Sequence, residues 1–299
     1  MESESTFTSL RETAFNTPLV ELRRLFPSDL GVRALLKLET NGPTGSVKDR
    51  AVEFMLDAAV NLGLITPETR IVEASGGAAG LALAAAAAAR GLRLTLFAPE
   101  GAYADRLELF KAFGTTLEFT PGSKGATGAL KAARLAANDA GTWTPALFDN
   151  PANPAAHETT TGPEIWRAAA GNIDAFVAGV GSGGTFVGTS RFLRRQKPEI
   201  ELIAVEPKEC AALSGGKPAS HGVVGLGAGF IPTIFDRSLP TSVETVSTDE
   251  ALNWTRRLAE TEGLLAGVST GANLAVVARY AARRENHGKT IVTVAFSRR

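Results

Sequence analysis

A chain of 299 residues, 44% of them apolar, is long enough for one large or two moderate domains, and 31 acidic against 31 basic side chains give no electrostatic reason to bind nucleic acid or an anionic membrane. The single cysteine, Cys210, excludes a disulfide framework and fits a reducing cytoplasm; with three scattered histidines, His157, His221 and His287, it gives no metal-ligand spacing. The polar, acidic start MESESTFTSLRET reads as neither a signal nor a transit peptide, and the most apolar run, residues 81–89, is mostly alanine and too short to span a bilayer.

In chain order, residues 32–39 predict a strand and 47–62 a helix with an apolar stripe. Residues 70–74 predict a strand, 80–90 an alanine-rich, closely packed helix, and 92–98 another strand. A helix over 103–113, a strand over 115–120 and a helix over 124–140 follow. Residues 150–162, NPANPAAHETTTG, are rich in Pro and Asn and read as a crossing between domains. A second series then runs strand 173–180, helix 185–196 and strand 201–207. Short apolar strands alternating with helices predict an α/β fold of two domains, each a mostly parallel sheet covered by helices.

Ligands of such sheets sit where strands lead into helices. The first such loop is Thr40-Asn-Gly-Pro-Thr-Gly-Ser-Val-Lys48-Asp-Arg50. Ser46 can cap the helix, which places Lys48 in its first turn, where the positive dipole end lowers an amine's pKa and suits a nucleophile. A solvated lysine paired with Glu53 is the plain alternative. The second loop, Gly179-Val-Gly181-Ser182-Gly183-Gly184-Thr185, lets backbone N–H groups converge at a helix start and suits a single phosphate, with a purely structural tight turn as the plain alternative. A dinucleotide fingerprint would need a glycine where Phe186 stands, and no Gly-Lys-Ser/Thr follows for a P-loop. In the third loop, the N–H groups of Ser75, Gly76, Gly77, Ala78 and Ala79 suit a carboxylate, unless the small residues serve only close helix–strand packing. The fourth segment, Gly267-Val-Ser269-Thr-Gly271, is by itself an ordinary helix start.

Together with Asn16-Thr-Pro-Leu-Val-Glu-Leu22, Asn150-Pro-Ala-Asn-Pro154, Thr160-Thr-Gly-Pro-Glu-Ile-Trp166, Val205-Glu-Pro207, Gly225-Leu-Gly-Ala-Gly-Phe230 and Gly263-Leu-Leu-Ala-Gly-Val-Ser269, these segments appear in an order that resembles the cysteine synthase (O-acetylserine sulfhydrylase) and cystathionine β-synthase family of fold-type II pyridoxal-phosphate enzymes. The resemblance implies a tryptophan synthase β-like fold. Its smaller domain would span 38–149 and carry the substrate loop, and 1–37 plus 150–299 would form the larger, cofactor-binding domain. It implies pyridoxal 5'-phosphate as cofactor, with Lys48 as the Schiff-base lysine, Gly181, Ser182, Gly183, Gly184 and Thr185 on its phosphate, and Ser269 facing the pyridine nitrogen. It also implies an amino-acid substrate held by residues 75–79, a homodimer, and β-replacement or β-elimination on an O-activated serine through bound aminoacrylate.

The sequence departs from the family pattern around the substrate. Where the family reads Thr-Ser-Gly-Asn-Thr-Gly, this chain reads Ser75-Gly76-Gly77-Ala78-Ala79-Gly80, so the asparagine is Ala78, or Gly77 if the Ser-Gly pair is matched instead. Leu147 replaces the glutamine expected before Phe148, and Gly42 replaces the asparagine before Pro43. The family's acidic, glycine-containing tail is also missing after Ser297-Arg-Arg. Besides cysteine synthase-like chemistry, two readings therefore stay open: a catalytically weak cofactor-binding homologue acting through a protein partner, and a serine/threonine dehydratase-like lyase.

Overall fold

The computed structural model describes residues 9–27, 31–102 and 106–298; the acidic residues 1–8 and the first turn expected at 103–105 lie outside these. Ten strands and nine α-helices are present among the described residues. The first half contains β1 (Leu19–Glu21), β2 (Arg33–Leu38), α1 (Lys48–Asn61), β3 (Arg70–Glu73), α2 (Ala78–Ala89), β4 (Arg93–Pro99), α3 (Leu107–Ala112), β5 (Thr116–Thr120), α4 (Gly125–Ala136) and β6 (Thr142–Trp143). The second contains α5 (Ala152–Ala156), α6 (Gly162–Ala168), β7 (Ala175–Gly179), α7 (Gly184–Gln196), β8 (Glu201–Pro207), β9 (Ser242–Val246), α8 (Thr248–Glu262), α9 (Val268–Ala281) and β10 (Thr290–Ala295).

The strands form two sheets, one of six strands in the order β1-β2-β10-β7-β8-β9 and one of four in the order β5-β4-β3-β6. Only the pairing of β1 with β2 is antiparallel. β7 and β10 are buried along their whole length because helices cover both faces, which explains their continuous apolar runs. β10, last in the chain, lies between β2 and β7 and so joins the two series. The smaller sheet has its own core, where Ala82, Leu83 and Ala86 of α2 meet Ala51, Val52 and Met55 of α1. Alanine's short side chain permits that approach. Among the described residues no helix is long and apolar enough to cross a membrane.

Residues 152–162, within the stretch read as a crossing between domains, are helical. α5, a π-turn over His157–Thr161 and α6 follow one another without a break. Pro151 is the N-cap and Pro154 sits within the first turn, where a missing N–H costs no helical bond. Proline here starts a helix.

A buried charge cluster fixes the larger sheet to α1. Arg50 Nε and Nη2 donate to Glu39 at 2.6 and 2.9 Å, while Nη1 and Nη2 donate to Glu164 at 2.6 and 2.7 Å. Lys37 Nζ donates to Glu164 at 2.7 Å and to the Thr17 carbonyl at 2.5 Å, and the Asn16 N–H reaches Glu164 at 3.0 Å. Arg50, Lys37, Glu39 and Glu164 are all buried. Burial alone would raise the Glu164 carboxyl, but the hydrogen bonds and charges of Arg50 and Lys37 hold it at about 2. Two cations and two anions balance, so removal of one partner exposes the others to an apolar interior. Glu164→Ala should therefore cost about 3–5 kcal/mol in urea unfolding. The contribution of Glu164 is fully present above its ordinary value of 4.5 and is lost as the pH falls toward about 2. Glu164→Gln should flatten that part of the acid-unfolding curve, and an unchanged slope would count against the assignment.

Candidate active site

β2, β10 and β7 run parallel, so their carboxyl ends share one sheet edge. The residues after β10 lace this edge together. Val47 N donates to Phe296 O at 2.7 Å, Ser46 and Ser297 form an antiparallel bridge, and Gly267 N donates to Ser297 O at 2.8 Å. One short segment thereby holds both the turn that leads to Lys48 and the turn that leads to Ser269.

Lys48 is the first residue of α1, one position later than the sequence suggests, and its N–H reaches Ser46 Oγ at 3.4 Å. Its amine pairs with no carboxylate among the described residues. Glu53 is taken by Arg90, and Asp49 accepts from Thr44 Oγ1 at 2.5 Å and Thr44 N at 3.1 Å. Burial lowers the amine to about 8, so desolvation is the cause of the shift expected from the helix dipole. The same Asp49 accounts for Gly42, because a Cβ there would lie 2.4 Å from Asp49 Oδ2.

The loop after β7 ends in Gly183 at φ 93°, a left-handed conformation that glycine adopts without strain. A Cβ on Gly181 would lie 2.0 Å from the Gly225 carbonyl, and one on Gly184 would lie 1.8 Å from Asn153 Oδ1. Packing thus requires these glycines, yet the N–H groups of Ser182, Gly183, Gly184 and Thr185 donate to no described residue. Ser182 and Thr185 are buried. Behind them, Asn153 Nδ2 lies 3.1 Å from Ser182 Oγ and His157 Nε2 lies 3.3 Å from Thr185 Oγ1. Burial, and then the charges of Arg50 and Lys48, keep His157 well below its ordinary pKa and neutral. Ser269, in the first turn of α9, is 3% exposed, and its hydroxyl makes no hydrogen bond with another described residue.

The third loop follows β3. Gly80 N donates to Ser75 Oγ at 2.8 Å, and a Cβ on Gly80 would lie 2.1 Å from the Ser75 carbonyl. The N–H groups of Gly76, Gly77, Ala78 and Ala79 have no acceptor among the described residues and open the twelve-residue α2. Glu73 is raised by burial, offset in part by hydrogen bonds from the backbones of Ala74, Leu147 and Ala146, and so ties this loop to residues 146–147. Leu147 itself packs against the smaller core, which explains why an apolar residue stands where glutamine was expected.

These residues fit pyridoxal phosphate on four observations among the described residues: a half-buried amine without a carboxylate partner, unspent N–H donors at a helix start, two buried hydroxyls beside them, and the unpartnered Ser269 hydroxyl. No group of three or more His, Cys, Asp or Glu that could hold a metal occurs among the described residues. Sequence reasoning gave no role to Asn153, His157, Glu73 or Ser297. Asn153 lay in a quoted motif, but nothing in the sequence says which loop it meets.

Among known proteins, a cysteine synthase of Staphylococcus aureus is 43% identical over 279 residues, 93% of this chain and 89% of the relative. The crystal structure of a cysteine synthase from Entamoeba histolytica superposes with a TM-score of 0.96 at 35% identity, covering 99% of this chain and 89% of that one. An O-ureido-L-serine synthase structure superposes with a TM-score of 0.94 at 35% identity, covering 98% and 92%. With residues 10–296 matching the family described as pyridoxal-phosphate dependent enzyme, the chain belongs to that family.

Proposed function

We propose that the protein is a cysteine synthase-like enzyme that carries out β-replacement on an O-activated serine, with O-acetylserine the first candidate. The observation that carries the proposal is Lys48, a half-buried amine with no counter-ion among the described residues, on the sheet edge it shares with a loop of unspent N–H donors. Pyridoxal phosphate, when bound, supplies the electron sink that acidifies an amino acid's α-carbon and lets a β-substituent leave.

The remaining work falls to the chain itself. At about 8, Lys48 Nζ exchanges a proton near neutrality, so it serves both as attacking amine and as the base and acid at the α-carbon. Ser182, Gly183, Gly184 and Thr185 hold the phosphate through their N–H groups and the dipole of α7, with Gly181 setting the loop's path. Ser269 offers the ring nitrogen a neutral hydroxyl, which cannot hold a proton there as a carboxylate would. The N–H groups of residues 76–79, capped by Ser75, bind the substrate carboxylate. A cytoplasmic homodimer belongs to the same reading, supported by the family resemblance and by Cys210 as a buried free thiol.

Borohydride treatment of the cofactor-loaded protein should fix the cofactor on Lys48, as read by peptide mass mapping; an adduct on another lysine would overturn the assignment. The cofactor-free protein should react with pyridoxal phosphate faster as the pH rises through about 8 and more slowly below it, where the amine is protonated. Lys48→Arg should remove both signals. With O-acetylserine, the side-chain donor missing at Ala78 should cost about 1.5–3 kcal/mol in kcat/KM, and Ala78→Asn should recover roughly ten- to hundredfold. If the unaltered protein already matches an ordinary cysteine synthase, the backbone donors suffice. If no amino acid reacts although the cofactor is on Lys48, the enzymatic reading fails.

A further inference from the structure

We infer that Asn153 is a positioning residue that sets the direction of the Ser182 hydroxyl proton in the phosphate cradle and couples that cradle to the substrate-side segment 146–148. The inference rests on the proposal that Gly181–Thr185 hold the cofactor phosphate.

Asn153 is 1% exposed and lies on α5, between the two segments. Its Nδ2 is 2.8 Å from the Leu147 carbonyl and 3.1 Å from Ser182 Oγ. A carbonyl oxygen only accepts, so the atom facing Leu147 must be the amide nitrogen. That nitrogen carries two protons and no acceptor capacity. One proton goes to Leu147 O and the other to Ser182 Oγ. Ser182 is therefore the acceptor, and its own single proton cannot point back at Asn153. It is left to face the side where the N–H groups of Ser182–Thr185 also stand without acceptors. A phosphate dianion accepts and does not donate, so it needs a hydroxyl whose proton is free. Asn153 supplies that condition from behind.

The fit is tight. Gly184 has no room for a Cβ because Asn153 Oδ1 would be 1.8 Å away, so the amide packs directly against the first turn of α7. On its other side, Leu147 belongs to the segment whose backbone meets Glu73 at the base of the substrate loop. Glu73, residues 146–147, Asn153 and Ser182 thus form one polar chain from the substrate loop to the phosphate cradle.

The test compares affinity for pyridoxal phosphate with affinity for pyridoxal, which lacks the phosphate, in the full-length protein freed of cofactor. Asn153→Asp keeps the shape but replaces the donor by an acceptor, which pulls the Ser182 proton inward. It should weaken pyridoxal phosphate roughly ten- to hundredfold and leave pyridoxal nearly unchanged. Asn153→Ala in a Ser182→Ala background should lose no more phosphate preference than Ser182→Ala alone. Equal weakening of both ligands by Asn153→Asp would mean a purely structural role, and unaltered affinity for both would mean none; either overturns the inference. Ser182→Ala decides the matter if position 153 does not tolerate change. It must weaken pyridoxal phosphate selectively, and undiminished affinity would show that the hydroxyl is not aimed at the phosphate. If the parent protein itself has no preference for pyridoxal phosphate over pyridoxal, the assignment of the phosphate loop fails first.

Discussion

The position of Lys48 depends on Arg50, two residues further along α1. A guanidinium is a planar fork, and here its prongs are divided between Glu39 at the end of β2 and Glu164 on α6, with a further bond from Nη2 to Thr17 Oγ1 at 3.0 Å. Two carboxylates held in this way fix both the depth of the helix start and its rotation about its own axis. A helix that turned to move Lys48 would have to strip a buried cation of its partners. The cluster therefore does what a disulfide does in a secreted protein: it joins four segments distant in sequence at one point. Lys48 needs such an anchor because its amine has no ion pair of its own, and a partner carboxylate would raise the pKa that burial lowers.

The glycine-rich turn after β7 shows how one set of glycines could meet two demands. Gly181 and Gly184 are required because Gly225 O and Asn153 stand where their side chains would be. Gly183 is required because of its backbone angle. None of these reasons mentions a ligand, yet the close packing pins the loop with its N–H groups turned away from the protein's own acceptors. The structural and the anion-binding readings of a glycine-rich turn are thus not rivals here. Packing is what makes the donors rigid, and rigidity lets them bind an anion without first paying to be ordered.

The alternation of strands and helices was readable from the sequence because apolar runs and turn residues are local signals, and element ends fall within a few residues of expectation for β2, α1, β3, β4, β7, α7 and β8. The helices within residues 150–162 were not legible, because Pro and Asn are turn residues in most contexts, although proline at a helix start is favourable. The charge cluster was unreadable for another reason. Asn16, Arg50 and Glu164 appear within three motifs of the sequence and Lys37 and Glu39 on the predicted strand 32–39, but bonds of the cluster join residues 114 and 127 positions apart. Local chemistry could flag Lys48 as special; only the fold shows that Arg50 holds it there. The lowered amine was anticipated with the wrong cause, since a helix dipole can be read from a motif and burial cannot.

The substrate side is built differently from the cofactor side. In the proposed phosphate cradle, side chains such as Ser182, Thr185, Asn153 and His157 stand beside the backbone donors. At residues 76–79 the side chains are hydrogen or methyl, so recognition there falls to N–H groups alone. Backbone donors suit any α-carboxylate and say nothing about what the β-carbon carries. The Leu147 side chain adds no polar contact, because it packs against the smaller core. Discrimination among O-activated serines must then come from residues that meet the leaving group and the incoming nucleophile. On the proposed reading, residues 76–79 offer an amino acid only the contacts that every such substrate shares.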